Sequence, residues 1–185
     1  VSTQNTYAAN LYVGDETTLS LTTAGGKTGA WTYAWDNAGG TTNSYTFKAA
    51  AAGEYQVKVL VKNTLGNSFD YSETLTYTIK VWDKCSVSQN AYVAEMYVGN
   101  ETTLSFTTAG GKAGAWSYVW DNNGGSATSY TFKPTTAGDY QIKVLVKNTL
   151  GNTDANYDYS ETLTYTIKVW DKCSVSQNKY AANLY

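Results

Sequence analysis

Gly53 to Asn63 reads GEYQVKVLVKN, and its side chains alternate in character with a period of two. The apolar positions are Tyr55, Val57, Val59 and Val61, and mostly Gln and Lys stand between them. Successive side chains of a β-strand point to opposite faces. The stretch therefore predicts a strand with one buried face and one solvated face.

Segments on both sides of this strand show the same period. They are Ala9 to Val13, Thr17 to Thr23, Trp31 to Trp35, Tyr45 to Phe47 and Leu75 to Val81. Turn signals rich in Gly and Asn separate them, and the sequence has no convincing helical period. Six or seven short strands, each with one apolar face, predict an all-β fold and an antiparallel β-sandwich.

The whole pattern then occurs a second time. Tyr7 to Asn90 is repeated from Tyr92 to Asn178, and the block DYSETLTYTIKVWDKCSVSQN at 70–90 is identical at 158–178. A period of about 85–88 residues suits one small autonomous domain rather than a solenoid unit. We predict repeat domains at 1–88 and 89–176, and the first strand of a third repeat at 177–185.

The junction between the copies is the segment CSVSQN at 85–90. It has neither Pro nor a Gly-Ser run, so we expect a short linker with restricted motion. Residues 177–185 would add to a following domain, or to a neighbouring molecule by strand addition. Val1 in place of an initiator Met predicts a processed or excised N-terminus.

Composition excludes some classes of partner. Charged residues make up 15% of the chain and the formal net charge is −2, whereas nucleic-acid binding requires clustered Lys and Arg. The sequence has no apolar stretch near the ~20 residues of a membrane span. A surface of Thr, Asn, Ser, Gly and Tyr is typical of secreted and cell-surface β-proteins, which predicts an extracellular location.

Tyr33 to Asn63, YAWDNAGGTTNSYTFKAAAAGEYQVKVLVKN, resembles polycystic-kidney-disease-type (PKD) domains and the triple-tyrosine domains of bacterial surface proteins. The shared elements are Tyr-x-Trp, Tyr-x-Phe and Gly-x-Tyr-x-Val-x-Val-x-Val before an Asn. The resemblance covers 17–81 and 102–169. It implies an immunoglobulin-like sandwich in a spacer, an adhesive module or an accessory domain of polysaccharide-degrading systems. The family's Gly-Asp-Gly turn is replaced by Asn-Ala-Gly-Gly at 37–40 and Asn-Asn-Gly-Gly at 122–125.

Each repeat has one cysteine, Cys85 and Cys173, directly after its last strand. A bridge within one repeat is therefore impossible, and equivalent positions of consecutive domains lie too far apart for a disulfide. Two interpretations stay open. Each cysteine packs under the domain junction, or each forms an interchain disulfide.

Four tryptophans are candidates for contacts outside their own core. Trp82 and Trp170 directly follow core-facing valines, so they point away from the core. Trp31 and Trp116 stand at the start of a strand. Trp31 shares a face with Tyr33 and Trp35, so packing in the core of its own repeat is the alternative for it. An outward Trp either packs at a domain junction or offers an apolar platform on which a sugar ring can lie.

Asp154, Asn156 and Asp158 have the opening spacing of a calcium loop. Tyr159 and Tyr165 stand where such a loop needs Gly and an acidic residue, and the segment arises from a three-residue insertion found in the second copy alone. The alternative is a solvated hairpin tip. Asn100, in Asn-Glu-Thr, is a candidate glycosylation site.

The chain has no histidine, which removes the commonest general base. The adjacent acids Asp15 and Glu16 point to opposite faces of a strand, and the position of Asp15 becomes Asn100 in the second copy. We therefore expect neither an enzyme nor a cofactor, and no metal beyond the weak calcium candidate.

These observations predict an extracellular structural segment, a stalk, fibre or adhesin shaft of a microbial surface protein. The expected partners are neighbouring repeats and other copies of the chain. The alternative is a carbohydrate-binding accessory module that uses exposed Trp and Tyr platforms on polysaccharide. Burial of Trp82 and Trp170 at a domain junction would count against that alternative.

Overall fold

The computed structural model describes residues 1–36, 39–66 and 70–178. Its regular structure is β-strand, apart from a 3₁₀ helix at Ala155–Tyr157. The strands of the first repeat are β1 (Ser2–Gln4), β2 (Asn10–Tyr12), β3 (Glu16–Thr23), β4 (Trp31–Trp35), β5 (Ser44–Lys48), β6 (Gly53–Asn63) and β7 (Tyr71–Trp82). Those of the second are β8 (Ser86–Gln89), β9 (Glu95–Tyr97), β10 (Thr102–Ala109), β11 (Trp116–Trp120), β12 (Ser129–Phe132), β13 (Gly138–Asn148) and β14 (Tyr159–Trp170).

Each repeat divides its strands between two sheets. The first repeat has the orders β1-β3-β5 and β2-β7-β6-β4, and the second has β8-β10-β12 and β9-β14-β13-β11. The four sheets form two sandwich-like domains, which confirms the prediction of an all-β, immunoglobulin-like sandwich fold. The finer PKD-like assignment stays a prediction.

The prediction of antiparallel strands needs one correction in each repeat. β2 pairs parallel with β7, where Leu11 lies opposite Val81, and β9 pairs parallel with β14, where Met96 lies opposite Val169. The cause is a change of sheet near the start of the repeat, because β1 pairs antiparallel with β3 in the other sheet. This arrangement places the end of β2 beside the end of β7.

The core of the first repeat is organised around Tyr77. Its side chain is fully buried, its ring lies 5.5 Å from that of Trp35 and 5.2 Å from that of Tyr7, and its hydroxyl donates to the carbonyl oxygen of Ser20 over 2.6 Å. Tyr77 stands on β7 and Ser20 on β3, so this hydrogen bond joins the two sheets. Tyr165 makes the equivalent bond in the second repeat.

The segment expected to be a linker is a strand. β8 (Ser86–Gln89) pairs with β10 in the second repeat's smaller sheet. Its side chains are mostly polar and exposed, and Nε2 of Gln89 donates to the carbonyl oxygen of Thr164 over 2.6 Å. Hydrogen bonding rather than apolar burial therefore holds this strand, which explains why its residue pattern does not indicate one.

The same four residues recur at Ser174–Gln177, where no strand forms and Val175 is 99% exposed. The predicted first strand of a third repeat falls mainly on residues 179–185, which lie outside the described residues.

The chain folds into two compact units whose limits differ from those of the sequence repeats. The first unit contains 1–87, 108–117 and 146–161, and the second contains 88–107, 118–145 and 162–185. The first unit therefore includes the whole core of the first repeat together with loops from the second. The domain boundaries at 88 and 176 stay a prediction.

Alkaline pH is expected to destabilise the fold through the buried tyrosines. Burial raises the pKa of Tyr77 and of Tyr165 from 10.0 to about 12. Between these values the unfolded chain releases the phenolic proton while the folded chain keeps it. Stability is therefore unaffected below about pH 10 and falls as the pH rises from about 10 to about 12.

Urea unfolding from about pH 8 to about pH 12 tests this linkage. The Tyr77→Phe/Tyr165→Phe variant should be less stable at pH 8 by about 1 kcal/mol for each lost hydrogen bond. It should also lose less stability than the parent chain over the alkaline range. Parallel curves for the two chains would contradict the assigned cause.

Candidate repeat–repeat interface

Tyr12, at the end of β2, is the centre of an interface inside the first compact unit. Its hydroxyl donates toward two atoms of Asn148, the carbonyl oxygen at 2.9 Å and Oδ1 at 2.8 Å. Tyr12 is 8% exposed and Asn148 is fully buried. Burial, followed by the neighbouring Cys85 sulfur, raises the pKa of Tyr12 well above its ordinary value. The phenol is protonated at physiological pH, as an ordinary tyrosine is, and the raised pKa extends this into the alkaline range.

A glycine pair fits closely against the chain that follows β7. The amide nitrogen of Gly111 donates to the carbonyl oxygen of Asp83 over 2.9 Å. A Cβ on Gly110 would stand 2.0 Å from the carbonyl oxygen of Lys84, and one on Gly111 would stand 2.8 Å from Sγ of Cys85. Both glycines have positive φ, at 69° and 73°. Glycine is thus required here for steric and conformational reasons.

The side chain of Asn148, at the end of β13, is held by the loop that contains Lys112. Its Oδ1 accepts from the amide nitrogen of Lys112 over 2.9 Å, and its Nδ2 donates to the Lys112 carbonyl oxygen over 3.0 Å. Asn63 makes the same pair of bonds with Lys27 in the first repeat, at 2.9 and 3.0 Å. Both repeats therefore form the kind of loop that contacts Tyr12 in the second repeat.

The second repeat adds contacts of its own. The side-chain amide of Asn152 accepts from the backbone nitrogen of Asn10 over 3.1 Å and donates to its carbonyl oxygen over 2.7 Å. The hydroxyl of Tyr157 donates to the carbonyl oxygen of Glu16 over 3.0 Å, and its ring packs against the first repeat's core. The loop that is three residues longer in the second repeat thus strengthens this interface.

The calcium candidates serve as local backbone acceptors. Oδ1 of Asp154 accepts from the amide nitrogen of Asn156 over 2.9 Å, and Oδ1 of Asp158 accepts from that of Leu150 over 2.7 Å. In the part of the chain that the structure describes, no group of three or more His, Cys, Asp and Glu residues could hold a metal ion. Weak calcium binding by this segment stays a prediction.

The two cysteines are free thiols in different surroundings. Cys85 is half-buried next to Tyr12 and Gly111, and burial raises its pKa, which lowers its reactive thiolate fraction. Cys173 is exposed, and its Sγ donates to the hydroxyl oxygen of Tyr97 over 3.6 Å. Cys85 therefore lies in an interface, and an interchain disulfide through either residue stays a prediction.

Trp82 and Trp170 are placed alike within their repeats but differ in exposure. Nε1 of Trp82 donates to Oδ1 of Asn10 over 3.3 Å, and this ring is half-buried. Trp170 is 46% exposed, and Nζ of Lys168 lies 4.4 Å from its ring centroid. An ammonium group over the ring is a favourable cation–π contact. Trp170 thus presents apolar surface that is partly occupied by a cation.

Trp31 and Trp116 are half-buried within their own repeats. Trp31 meets the edge of Tyr71 at 5.7 Å, and Trp116 meets Tyr159 at 5.8 Å. These pairs support the sandwich itself. Asn100 is exposed just before β10, as a glycosylation acceptor must be.

Sequence reasoning missed Tyr12, Asn148 and the Gly110-Gly111 pair. A usable signal was present, because the motifs Gly-Gly-Lys and Asn-Thr-Leu-Gly-Asn occur at equivalent places in both copies. Taken alone these motifs indicate ordinary turns. The sequence of one repeat does not show which residues of the other repeat pack against its turns.

Comparison with known proteins gives one related sequence and several remote folds. The chain is 32% identical over 173 residues to the highly immunogenic outer capsid protein of Enterobacteria phage T4. The match covers 83% of this chain and 45% of that protein, so the chain spans less than half the relative's length. No family model matches.

Among solved structures, the fibronectin(III)-like modules of Clostridium thermocellum CbhA align with a TM-score of 0.46 and 16% identity, over 98% of this chain and 100% of that one. The four N-terminal Ig domains of Dscam1 isoform 7.44 align with a TM-score of 0.40 and 11% identity, over 91% and 46%. Among the described residues, no helix has the length and apolar character needed to cross a bilayer.

The matched glycines Gly110 and Gly25 test the interface. Both have positive φ, at 69° and 74°, but a Cβ on Gly25 would meet nothing within 4 Å. Each Ala variant should lose about 1–2 kcal/mol from backbone strain. Gly110→Ala should lose about 1–3 kcal/mol more, because the methyl group overlaps the Lys84 carbonyl.

Urea unfolding followed by tryptophan fluorescence measures both variants. Gly25→Ala serves as the control for the φ penalty. Equal losses in the two variants would show that the Gly110 contact does not contribute to stability.

Proposed function

We propose that this chain is a structural repeat segment of an extracellular or virion-surface protein of a microbe or its virus. Its two immunoglobulin-like domains would act as a shaft, stalk or spacer, with no catalytic role. The observation that carries the proposal is the Tyr12–Asn148 interface, in which residues present in both repeats are used to join one repeat to the next.

Three further observations support this function. The interface depends on close backbone approach and neutral hydrogen bonds, which suits a permanent connection rather than a ligand site. The related T4 protein is an outer capsid protein by name. The PKD-like motifs at 33–63 are those of spacer and adhesive domains, so we propose that subtype for both repeats.

Surface labelling tests the proposed location. Antibodies raised against the folded 185-residue chain should bind intact particles or cells of the producing source, and antibodies absorbed with the same chain provide the control. Binding that appears only after lysis would reject an external location.

A carbohydrate-binding module is the second candidate function, and the 46% exposure of Trp170 favours it. Two features weaken it. Lys168 covers part of the ring, and the equivalent Trp82 is half-buried. The two tryptophans therefore differ in the surface they can offer to a sugar.

Sedimentation with insoluble polysaccharides separates the two functions. A sugar-binding module should co-sediment with one of them, and Trp170→Ala should abolish this while Trp82→Ala reduces it less. The structural role predicts that the parent chain stays in the supernatant with every polysaccharide tested. Specific co-sedimentation that Trp170→Ala removes would favour the carbohydrate-binding function.

A further inference from the structure

The turn that follows β11 has two consecutive non-glycine residues with positive φ. Asn122 and Asn123 have φ of 52° and 61°, and the amide nitrogen of Gly124 donates to the carbonyl oxygen of Asp121 over 3.1 Å. Positive φ at both central residues of a turn closed by this bond is typical of type I′. Both asparagines are exposed, so water reaches their side-chain amides.

Packing against a buried tryptophan requires glycine at the end of this turn. A Cβ on Gly124 would stand 2.5 Å from Cβ of Trp120, which is 3% exposed. Gly39, the equivalent glycine of the first repeat, has the same constraint, because its Cβ would stand 2.6 Å from Cβ of Trp35. Neither position can take a side chain unless the tryptophan moves.

An asparagine directly before a glycine has a reactive side-chain amide. Glycine has no Cβ, so its backbone nitrogen can approach the side-chain carbonyl carbon of the preceding residue without steric hindrance. Asn123-Gly124 is the one Asn-Gly pair in the sequence, and Ala38 stands at the position equivalent to Asn123. The packing requirement for glycine therefore creates a reactive pair in the second repeat and not in the first.

We propose that Asn123 is a modification site, at which the chain deamidates without an enzyme. The deprotonated backbone nitrogen of Gly124 attacks Cγ of Asn123. The new N–C bond closes a succinimide ring, and the side-chain nitrogen takes up a proton and leaves as ammonia. Water then opens the ring at one of its two carbonyl groups. One opening gives aspartate, and the other gives isoaspartate, whose main chain runs through the former side chain.

The folded turn slows this reaction without preventing it. The N–H group of Gly124 must leave the carbonyl oxygen of Asp121 before it can react, so the turn has to open. Asp121 is held separately, because it donates its N–H to the Lys143 carbonyl oxygen and accepts from the Lys143 nitrogen at Oδ1, both over 3.0 Å. The turn can therefore open locally while β11 and β13 stay paired.

The isoaspartate product disturbs the core of the second repeat. It adds a carbon atom to the main chain before Gly124, so the turn cannot keep both its closing hydrogen bond and its close contact with Trp120. The Trp120 ring lies 5.6 Å from that of the fully buried Tyr165. The aspartate product keeps the main-chain length, and aspartate tolerates positive φ, so it leaves the turn intact.

Incubation of the folded 185-residue chain, followed by peptide mapping with mass spectrometry, tests the proposal. The peptide that contains Asn123 should gain the mass of an amide-to-acid change and separate into an aspartate and an isoaspartate form. Because the deprotonated nitrogen reacts, the rate should rise about tenfold per pH unit from about pH 7 to about pH 9. This range lies below the pH at which ionisation of the buried tyrosines destabilises the fold.

Two results would overturn the proposal. One is an Asn123 that stays intact in the folded chain while the urea-unfolded chain converts. The other is faster conversion at a different asparagine of the folded chain.

Two variants locate the reaction within the turn. Asn123→Ala copies the sequence of the first repeat at this point and should abolish the mass gain. Asn122→Gly keeps the Asn-Gly pair, since glycine accepts positive φ, and should convert at Asn123 like the parent chain. A mass gain of this peptide that persists in Asn123→Ala would assign the reaction to another residue and overturn the proposal.

Unfolding measurements test the effect on the core. Anion exchange separates the converted chain, because it carries one more negative charge than the parent chain. Urea unfolding followed by tryptophan fluorescence should give a lower midpoint for the isoaspartate form, whereas Asn123→Asp should unfold like the parent chain. Equal midpoints for the isoaspartate form and the parent chain would overturn the link from the turn to Trp120.

Discussion

The hydrogen bond from the Tyr77 hydroxyl to the Ser20 carbonyl fixes the relation between the two sheets of a repeat. The Ser20 carbonyl also accepts from the Asn5 amide nitrogen, so the group that depends on this bond is the buried Tyr77 hydroxyl. A buried hydroxyl without a partner would cost about 1–3 kcal/mol, which favours one spacing of β7 against β3. β7 runs from the buried Tyr77 to Trp82, where the strand ends, and the chain then continues to Lys84. The interface at the end of β7 is therefore positioned by the same strand that joins the sheets.

The interface between repeats relies on shape more than on charge. Its closest approach is between the backbone at Lys84 and the glycine at 110, and its central hydrogen bonds join a neutral phenol to a neutral amide. A chain with 15% charged residues has few ion pairs to use. Contacts of this kind lose little strength to screening by salt.

Alternation of Val and Tyr made the long strands predictable, because burial of one face is what produces the pattern. The same logic fails for β1 and β8, whose side chains are largely polar and which are held by backbone pairing and by Gln89. The parallel pairing of β2 with β7 is also invisible in the sequence, since period two is the same in both directions. Tyr12 looks like an ordinary strand residue for a related reason, because its partner loop lies far along the chain.

The equivalent tyrosines Tyr12 and Tyr97 both have a hydrogen-bond partner for their hydroxyl group. Tyr97 accepts a hydrogen bond from the Cys173 sulfur, while Tyr12 donates to two oxygens of Asn148. A thiol is a weak hydrogen-bond donor, so this bond restrains the Tyr97 hydroxyl only slightly. The exposed Tyr97 hydroxyl thus has a hydrogen-bond partner within its own repeat. Tyr12 also bonds to the Cys85 sulfur. The tyrosine–cysteine contact is therefore common to both repeats, and the two bonds to Asn148 are what the interface adds to it.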